Sequence, residues 1–250
     1  MKKNHLNVFA ISGILLMGIL FTACKKSNFE NTNPEVAGLM AFNLAPDQSV
    51  AIGISGNALT SSPLGFTSYT GGYLGIYPGN RTVESYNYAS GDSIATASYD
   101  FTAKKYYSLF VVGSNDNYQN VIVNDNFDSL SSSSGQAYIR YINAINGSAS
   151  PQVTITANGT NVVNSNAAFA GISEFVAVAP GPVAITVNEG STVNANRTIT
   201  VEQKKVYTVL LASGATSADP AQIKYVVNGT LEDEAVSGQR ISSAQVVNIK

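Results

Sequence analysis

Blocks of residues recur along this 250-residue chain at a spacing near 100, in the same order each time. Ala41-Phe42-Asn43-Leu44-Ala45 returns as Tyr141-Ile142-Asn143-Ala144-Ile145. Tyr73-Leu74-Gly75-Ile76-Tyr77-Pro78-Gly79 returns as Phe175-Val176-Ala177-Val178-Ala179-Pro180-Gly181, and Lys104-Lys105-Tyr106-Tyr107-Ser108-Leu109 as Lys204-Lys205-Val206-Tyr207-Thr208-Val209. Val121-Ile122-Val123-Asn124 pairs in the same way with Tyr225-Val226-Val227-Asn228. Such a chain is expected to build one unit twice, over residues 35–128 and 136–231. Residues 129–135 join the copies, and their Ser131 to Gly135 run has the composition of a flexible Ser/Gly linker.

Within each copy the hydrophobic period is two. Val153, Ile155 and Ala157 alternate with Thr154 and Thr156, and Val183, Ile185 and Val187 alternate with Ala184 and Thr186, as half-buried strands require. Asn158-Gly159 between two such runs is a tight hairpin signal, and Pro78-Gly79 and Pro180-Gly181 each divide two strands. No i, i+4 patterning follows the N-terminal segment. Short strands at regular spacing without long crossovers predict an all-β chain of two tandem immunoglobulin-like antiparallel β-sandwiches.

At the N-terminus, Lys2 and Lys3 precede an apolar run from Val8 to Ala23 that ends at Cys24, the single cysteine of the chain. These 16 residues fall short of the roughly 20 that span a bilayer, and small Ala23 suits a cleaving peptidase. The segment resembles a bacterial lipoprotein lipobox, which implies that signal residues 1–23 are removed and that Cys24 carries acyl chains. One chain holds a membrane marginally and two hold it firmly. A thioether sulfur makes no disulfide, so the mature body is expected to fold without one. Residues 24–34 then form a flexible tether, and Lys25-Lys26 in place of an aspartate after the cysteine resembles the pattern of outer-membrane sorting.

The order of motifs in the copies resembles the domain-of-unknown-function family 4397. The likeness rests on an apolar strand ending in Asn (Phe42-Asn43, Ile142-Asn143), a central Pro-Gly turn, and a late Lys-x-Tyr-Thr/Ser-apolar strand (Lys105 to Ser108, Lys205 to Thr208). It implies a fold and an address in the envelope of Bacteroidota, where such domains occur in lipoproteins and often in tandem. These motifs are strands and turns, so no catalytic residue comes with them. Repeat 1 departs from the pattern with extra Gly and Tyr at Thr70-Gly71-Gly72-Tyr73.

Composition narrows the function classes. The chain has 14 Lys and Arg, two of them in the signal, against 16 Asp and Glu, and only 12% of its residues are charged. No basic stripe exists to neutralise phosphates, which argues against a nucleic-acid partner. The one histidine, His5, lies in the signal, so histidine-based catalysis or metal binding is not expected in the mature body. Glu232-Asp233-Glu234 reads as a solvated connection. Asn124-Asp125-Asn126-Phe127-Asp128 has alternating oxygen side chains but lacks the Gly and distant Glu of a calcium loop, and reads as an Asx-rich turn. Gly71-Gly72 precedes no helix and makes no phosphate loop. The expectation is a protein that is not an enzyme and takes no cofactor or metal.

Nine of the 13 tyrosines fall in repeat 1, and Tyr73, Tyr77, Tyr86 and Tyr88 are the candidate binding residues, amphipathic rings suited to a partly wet contact. Asp92-Ser93-Ile94 and Asp128-Ser129-Leu130 resemble acceptors of periplasmic O-glycosylation at Ser93 and Ser129. In the tail, residues 232–250, Val246-Val247-Asn248 resembles the opening strand of a third, truncated copy, suited to cap the edge of the second sandwich or to join a neighbour. The sequence thus predicts a lipid-anchored outer-membrane protein with a non-catalytic role in contacts with a surface protein or glycan. A fimbrial or adhesin subunit and a glycan-binding module of a nutrient-uptake complex are the alternatives.

Overall fold

The computed structural model describes residues 35–147, 150–191, 193–232 and the backbone of 241–242. Cys24, the tether and Val246-Val247-Asn248 lie outside the described residues. Repeat 1 contains β1 (Ala37–Asn43), β2 (Val50–Ile54), β3 (Asn57–Ala58), β4 (Leu74–Ile76), β5 (Gly79–Asn87), β6 (Ser93–Phe101), β7 (Tyr106–Ser114) and β8 (Asn117–Asn124). Repeat 2 contains β9 (Ala137–Ala144), β10 (Gln152–Ala157), β11 (Thr160–Asn166), β12 (Val176–Val178), β13 (Gly181–Glu189), β14 (Val193–Val201), β15 (Lys205–Ala212) and β16 (Gln222–Leu231), followed by β17 (Ile241–Ser242).

Each repeat is a sandwich of two sheets. In repeat 1 an inner sheet β4-β1-β7-β8 covers an outer sheet β3-β2-β5-β6, and repeat 2 has the same plan with β12-β9-β15-β16-β17 and β11-β10-β13-β14. The pairs are antiparallel except β1 with β7 and β9 with β15, which run parallel. The outer sheet supplies the long crossover that a parallel pair needs, because the chain leaves β1, builds β2, β5 and β6, and returns to lay β7 beside it. β17 adds to the β16 edge through Thr230↔Ser242 and Leu231↔Ile241.

The turns follow their sequence. Asn158-Gly159 and its counterpart Ser55-Gly56 each hold two successive positive φ angles (49° and 75°, 48° and 80°), the type I′ geometry that matches strand twist. Pro78-Gly79 and Pro180-Gly181 are corners where the chain passes from inner to outer sheet, with β4 and β12 on one side and β5 and β13 on the other.

The motif residues prove to be clamps. Asn43 and Asn143, both fully buried, close an Asx turn on Ala45 N and Ile145 N (3.0 and 3.1 Å). Their amides donate outward to the crossing loops, to Gln48 O and Leu64 O in one copy and to Ala167 O and Ala168 O in the other. The Tyr107 and Tyr207 hydroxyls accept from Thr102 N and Glu202 N, fixing the corner before β7 and β15.

The two sandwiches stack inner sheet to inner sheet. Along β1, Ala37, Leu39 and Ala41 enter the core of repeat 1, while Met40 and Phe42 pack against Ile142, Ala144, Leu210 and Val226 of repeat 2. Ile139 and Tyr141 of β9 likewise enter the second core. Both faces of each inner sheet are therefore covered, and β9 is buried at every position. Strands covered on both sides read as near-continuous apolar runs, and the segments Gly38 to Phe42 and Ala137 to Ile142 do. Residues 129–135, the Ser/Gly linker of the sequence reading, join the repeats through a short ordered connection. Two 3₁₀ turns (Phe127–Ser129 and Ser132–Ser134) occupy it, Phe127 and Leu130 bury against Tyr138, Val206 and Leu231, and Ser131 N donates to the Tyr138 hydroxyl. The apolar residues flanking the serines drive this docking.

Candidate functional site

The stacked sheets bury one polar cluster. Arg140 stands on β9 at the position that Met40 holds on β1, and its side chain is 2% exposed. Its Nη2 donates to Asp125 Oδ1 at 2.6 Å and to Ser108 Oγ at 2.9 Å, both in repeat 1, and its Nε donates to Thr208 Oγ1 at 3.1 Å in repeat 2. Its guanidinium carbon lies 4.4 Å from the Phe175 ring centroid, a geometry in which the ring face stabilises the cation. Asp125 also accepts at Oδ2 from Ser108 (3.0 Å) and from the Tyr73 hydroxyl (2.5 Å). Asn228 accepts from Thr208 (2.6 Å) and donates to the Tyr73 hydroxyl (3.1 Å), which closes the circuit across the junction. Burial, then the Asp125 charge, push the Tyr73 phenol well above 10, so it stays a neutral donor.

Strand register relates these residues. Tyr107 pairs with Asn124 and Tyr207 with Val227, so Asp125 and Asn228 are the equivalent positions, one residue away from the Asn124–Asn228 match that the sequence suggests. The offset runs along the strand, since Ser108 pairs with Val123 and Thr208 with Val226, and at the bulge Val206 pairs with Gly229, which leaves Asn228 as the extra residue facing Thr208. Ser108 and Thr208 are likewise equivalent, as are Tyr73 and Phe175. The same patch of each copy meets its counterpart, but only one copy carries the carboxylate and only the other the guanidinium.

A cleft of about 570 Å³ opens where the end loops of the repeats meet, bordered by Asp47, Asn115, Asn146, Ser213, Thr216 and Asp219. Asp47 Oδ2 accepts from Asn115 N and from the Tyr118 hydroxyl (both 2.8 Å), and Asp219 Oδ2 from Thr216 N and Oγ1 (both 2.9 Å). Asn146 Nδ2 is buried there without a hydrogen-bond partner. β1 starts at Ala37 and ends at Asn43, seven residues in all, beside this cleft, so the chain enters the sandwich at the opposite end, roughly 20 Å away.

The four candidate tyrosines do not form one surface. Tyr73 turns inward to Asp125 and stacks edge-on with Tyr106 and Phe127. Tyr77 precedes β5 and Tyr88 follows it, at opposite ends of a nine-residue strand; with exposures of 63% and 56% they are two of the three exposed large hydrophobics among the described residues. Tyr86 lies half-buried over Gly53, where an added Cβ would meet its ring at 3.1 Å. Tyr88 N donates to Ser49 O and Asn87 Nδ2 to Gln48 Oε1, which puts Tyr86 and Tyr88 at the cleft end. Ser93 is exposed at the head of β6, and exposed Ser129 sits in a 3₁₀ turn with its hydroxyl donating to Asn126 O. Among the described residues no group of three or more His, Cys, Asp or Glu could hold a metal, and no helix is long and apolar enough to cross a membrane. Arg140 and Asp125 were readable as oddities, an arginine inside an apolar strand and an aspartate after one, but nothing local pairs residues 15 apart.

Residues 37–146 and 138–237 each match the model of a family described as Domain of unknown function (DUF4397). The chain belongs to this family. The two DUF4397 matches overlap along β9. No curated protein matches the sequence. Crystal structures of three Bacteroides proteins, each provisionally assigned to cell adhesion, are similar in outline. The one from Bacteroides ovatus is 8% identical over 77% of this chain and 96% of its own, with a TM-score of 0.23. Those from Bacteroides uniformis (12%, 77% and 98%, 0.23) and Bacteroides eggerthii (9%, 78% and 96%, 0.24) are alike. Scores this low carry no functional weight.

Proposed function

We propose that this DUF4397 chain is a lipid-anchored protein of the outer membrane that presents the junction end of its paired sandwiches to a surface partner, without catalysis. The observation that carries the reading is placement. The cleft, with its unpartnered Asn146 amide, and the Tyr86–Tyr88 pair lie at the end remote from where the chain enters β1. An anchor at Cys24, followed by a tether over 24–34, would hold the entry end toward the membrane and leave the cleft end outward. The buried ionisable cluster supports a non-catalytic role, because Arg140 and Asp125 are 2% and 1% exposed, Tyr73 is half-buried, and the Asp125 carboxylate is held by both the guanidinium and the phenol. β17 on the β16 edge supports capping over strand donation. Ser93 and Ser129 are proposed as O-glycosylation acceptors, exposed as a glycan requires.

Crosslinking on intact cells tests the contact. Tyr88→Ala is expected to reduce the captured species and Tyr77→Ala to leave it unchanged; equal loss from both, or none from Tyr88→Ala, contradicts the placement. Cys24→Ser should release the protein from the membrane fraction. An intact mass that falls on Ser93→Ala with Ser129→Ala only by the two hydroxyl oxygens removed ends the glycosylation proposal.

A further inference from the structure

The junction raises a problem of pairing. Two copies of one domain, joined through the same patch on each, offer three combinations: repeat 1 with repeat 2, or either repeat with its like on another molecule. The apolar part of the patch does not discriminate, since Met40, Phe42 and Phe110 on one side and Ile142, Ala144 and Leu210 on the other are all suitable packing residues. On the anchored reading proposed above, neighbouring molecules meet at high surface density, which makes exchange between them a real competitor.

We infer that the Asp125–Arg140 pair is a pairing code that admits only a repeat 1 face against a repeat 2 face, so that the repeats of neighbouring molecules reject like faces. Facing its own kind, repeat 1 would bury two Asp125 carboxylates opposite Met40, the residue in the arginine's place. Repeat 2 facing itself would bury two Arg140 guanidinium groups opposite Asn228, the residue in the carboxylate's place. Each unpaired buried charge disfavours the wrong dimer by on the order of a hundredfold or more. The remaining members of the circuit are neutral in both copies, Ser108 against Thr208 and Tyr73 against Phe175, so the discrimination rests on this one pair. The code also explains why a strand as apolar as β9 carries an arginine at its centre.

The test uses the chain from residue 25 onward, which holds the whole compact unit from Glu35, in two differently tagged populations unfolded together and refolded. Wild type, which carries both matched faces on one chain, sets the baseline for exchange of tags. Arg140→Glu and Asp125→Arg, each mismatched alone, should co-refold into a 1:1 heterodimer in which both crossed junctions are matched. The neutralised variant Asp125→Asn with Arg140→Met, which gives each copy the other's residue and should fold, is expected to exchange tags at least tenfold more than wild type. Absence of the heterodimer, or a neutralised variant that exchanges tags no more than wild type, overturns the code.

Discussion

The inner and outer sheets of this molecule are made from the same chain under different rules. Strands β13 and β14 of the outer sheet alternate strictly, with Val183, Ile185 and Val187 inside and Ala184, Thr186 and Asn188 in solvent. The inner strands β1 and β9 have no solvent side, and their polar residues survive only with partners: Asn43 and Asn143 in loop clamps, Arg140 in an ion pair. The contrast teaches that a polar side chain means solubility on one layer and architecture on the next. A polar group removed from the outside should cost almost nothing, and one removed from the inside should leave a buried partner unmet.

The largest break in that comparison is Arg140→Met alone, which strands Asp125 in the apolar junction and should cost about 3–5 kcal/mol in urea unfolding. Adding Asp125→Asn should restore most of it. Next, Asn43→Ala and Asn143→Ala each leave two loop carbonyls without their amide donor and should cost about 2–3 kcal/mol, while exposed Asn196→Ala on β14 stays within about 0.5 kcal/mol of wild type. Alkaline titration gives a smaller effect. Burial pushes the Tyr207 phenol up to about 12, against 10 in the unfolded chain. The stability this provides is complete below pH 10 and is lost as pH rises from 10 to 12, and Tyr207→Phe should flatten that fall. The smallest effect belongs to exposed Tyr77→Ala and Tyr88→Ala, with midpoints changed by no more than about 0.5 kcal/mol.

Much of the outer layer is legible in the residues alone, because its cause is local. Alternation gave β10 and β13, Asn158-Gly159 gave their neighbouring hairpin, and the Pro-Gly pairs gave the corners. The duplicated Asn at the end of β1 and β9 was visible as a motif, although its role as a clamp needs the crossing loop at Leu64 or Ala167 to be in place. The junction was hidden because it is made by residues far apart in sequence. Tyr73 and Asn228, 155 residues apart, share a hydrogen bond, and no periodicity reports it. Its trace was the composition of β1 and β9, too apolar for strands with a wet face. Tyr73 was hidden for the complementary reason, since the abundance of tyrosine in repeat 1 says nothing of which ring turns inward.

Calorimetry of the chain from residue 25 onward tests whether the two repeats are one cooperative body. The shared core and the circuit through Arg140 predict a single transition whose calorimetric and van't Hoff enthalpies agree, and which Arg140→Met shifts downward as a whole. Two separate transitions, with Arg140→Met moving only one of them, would contradict it.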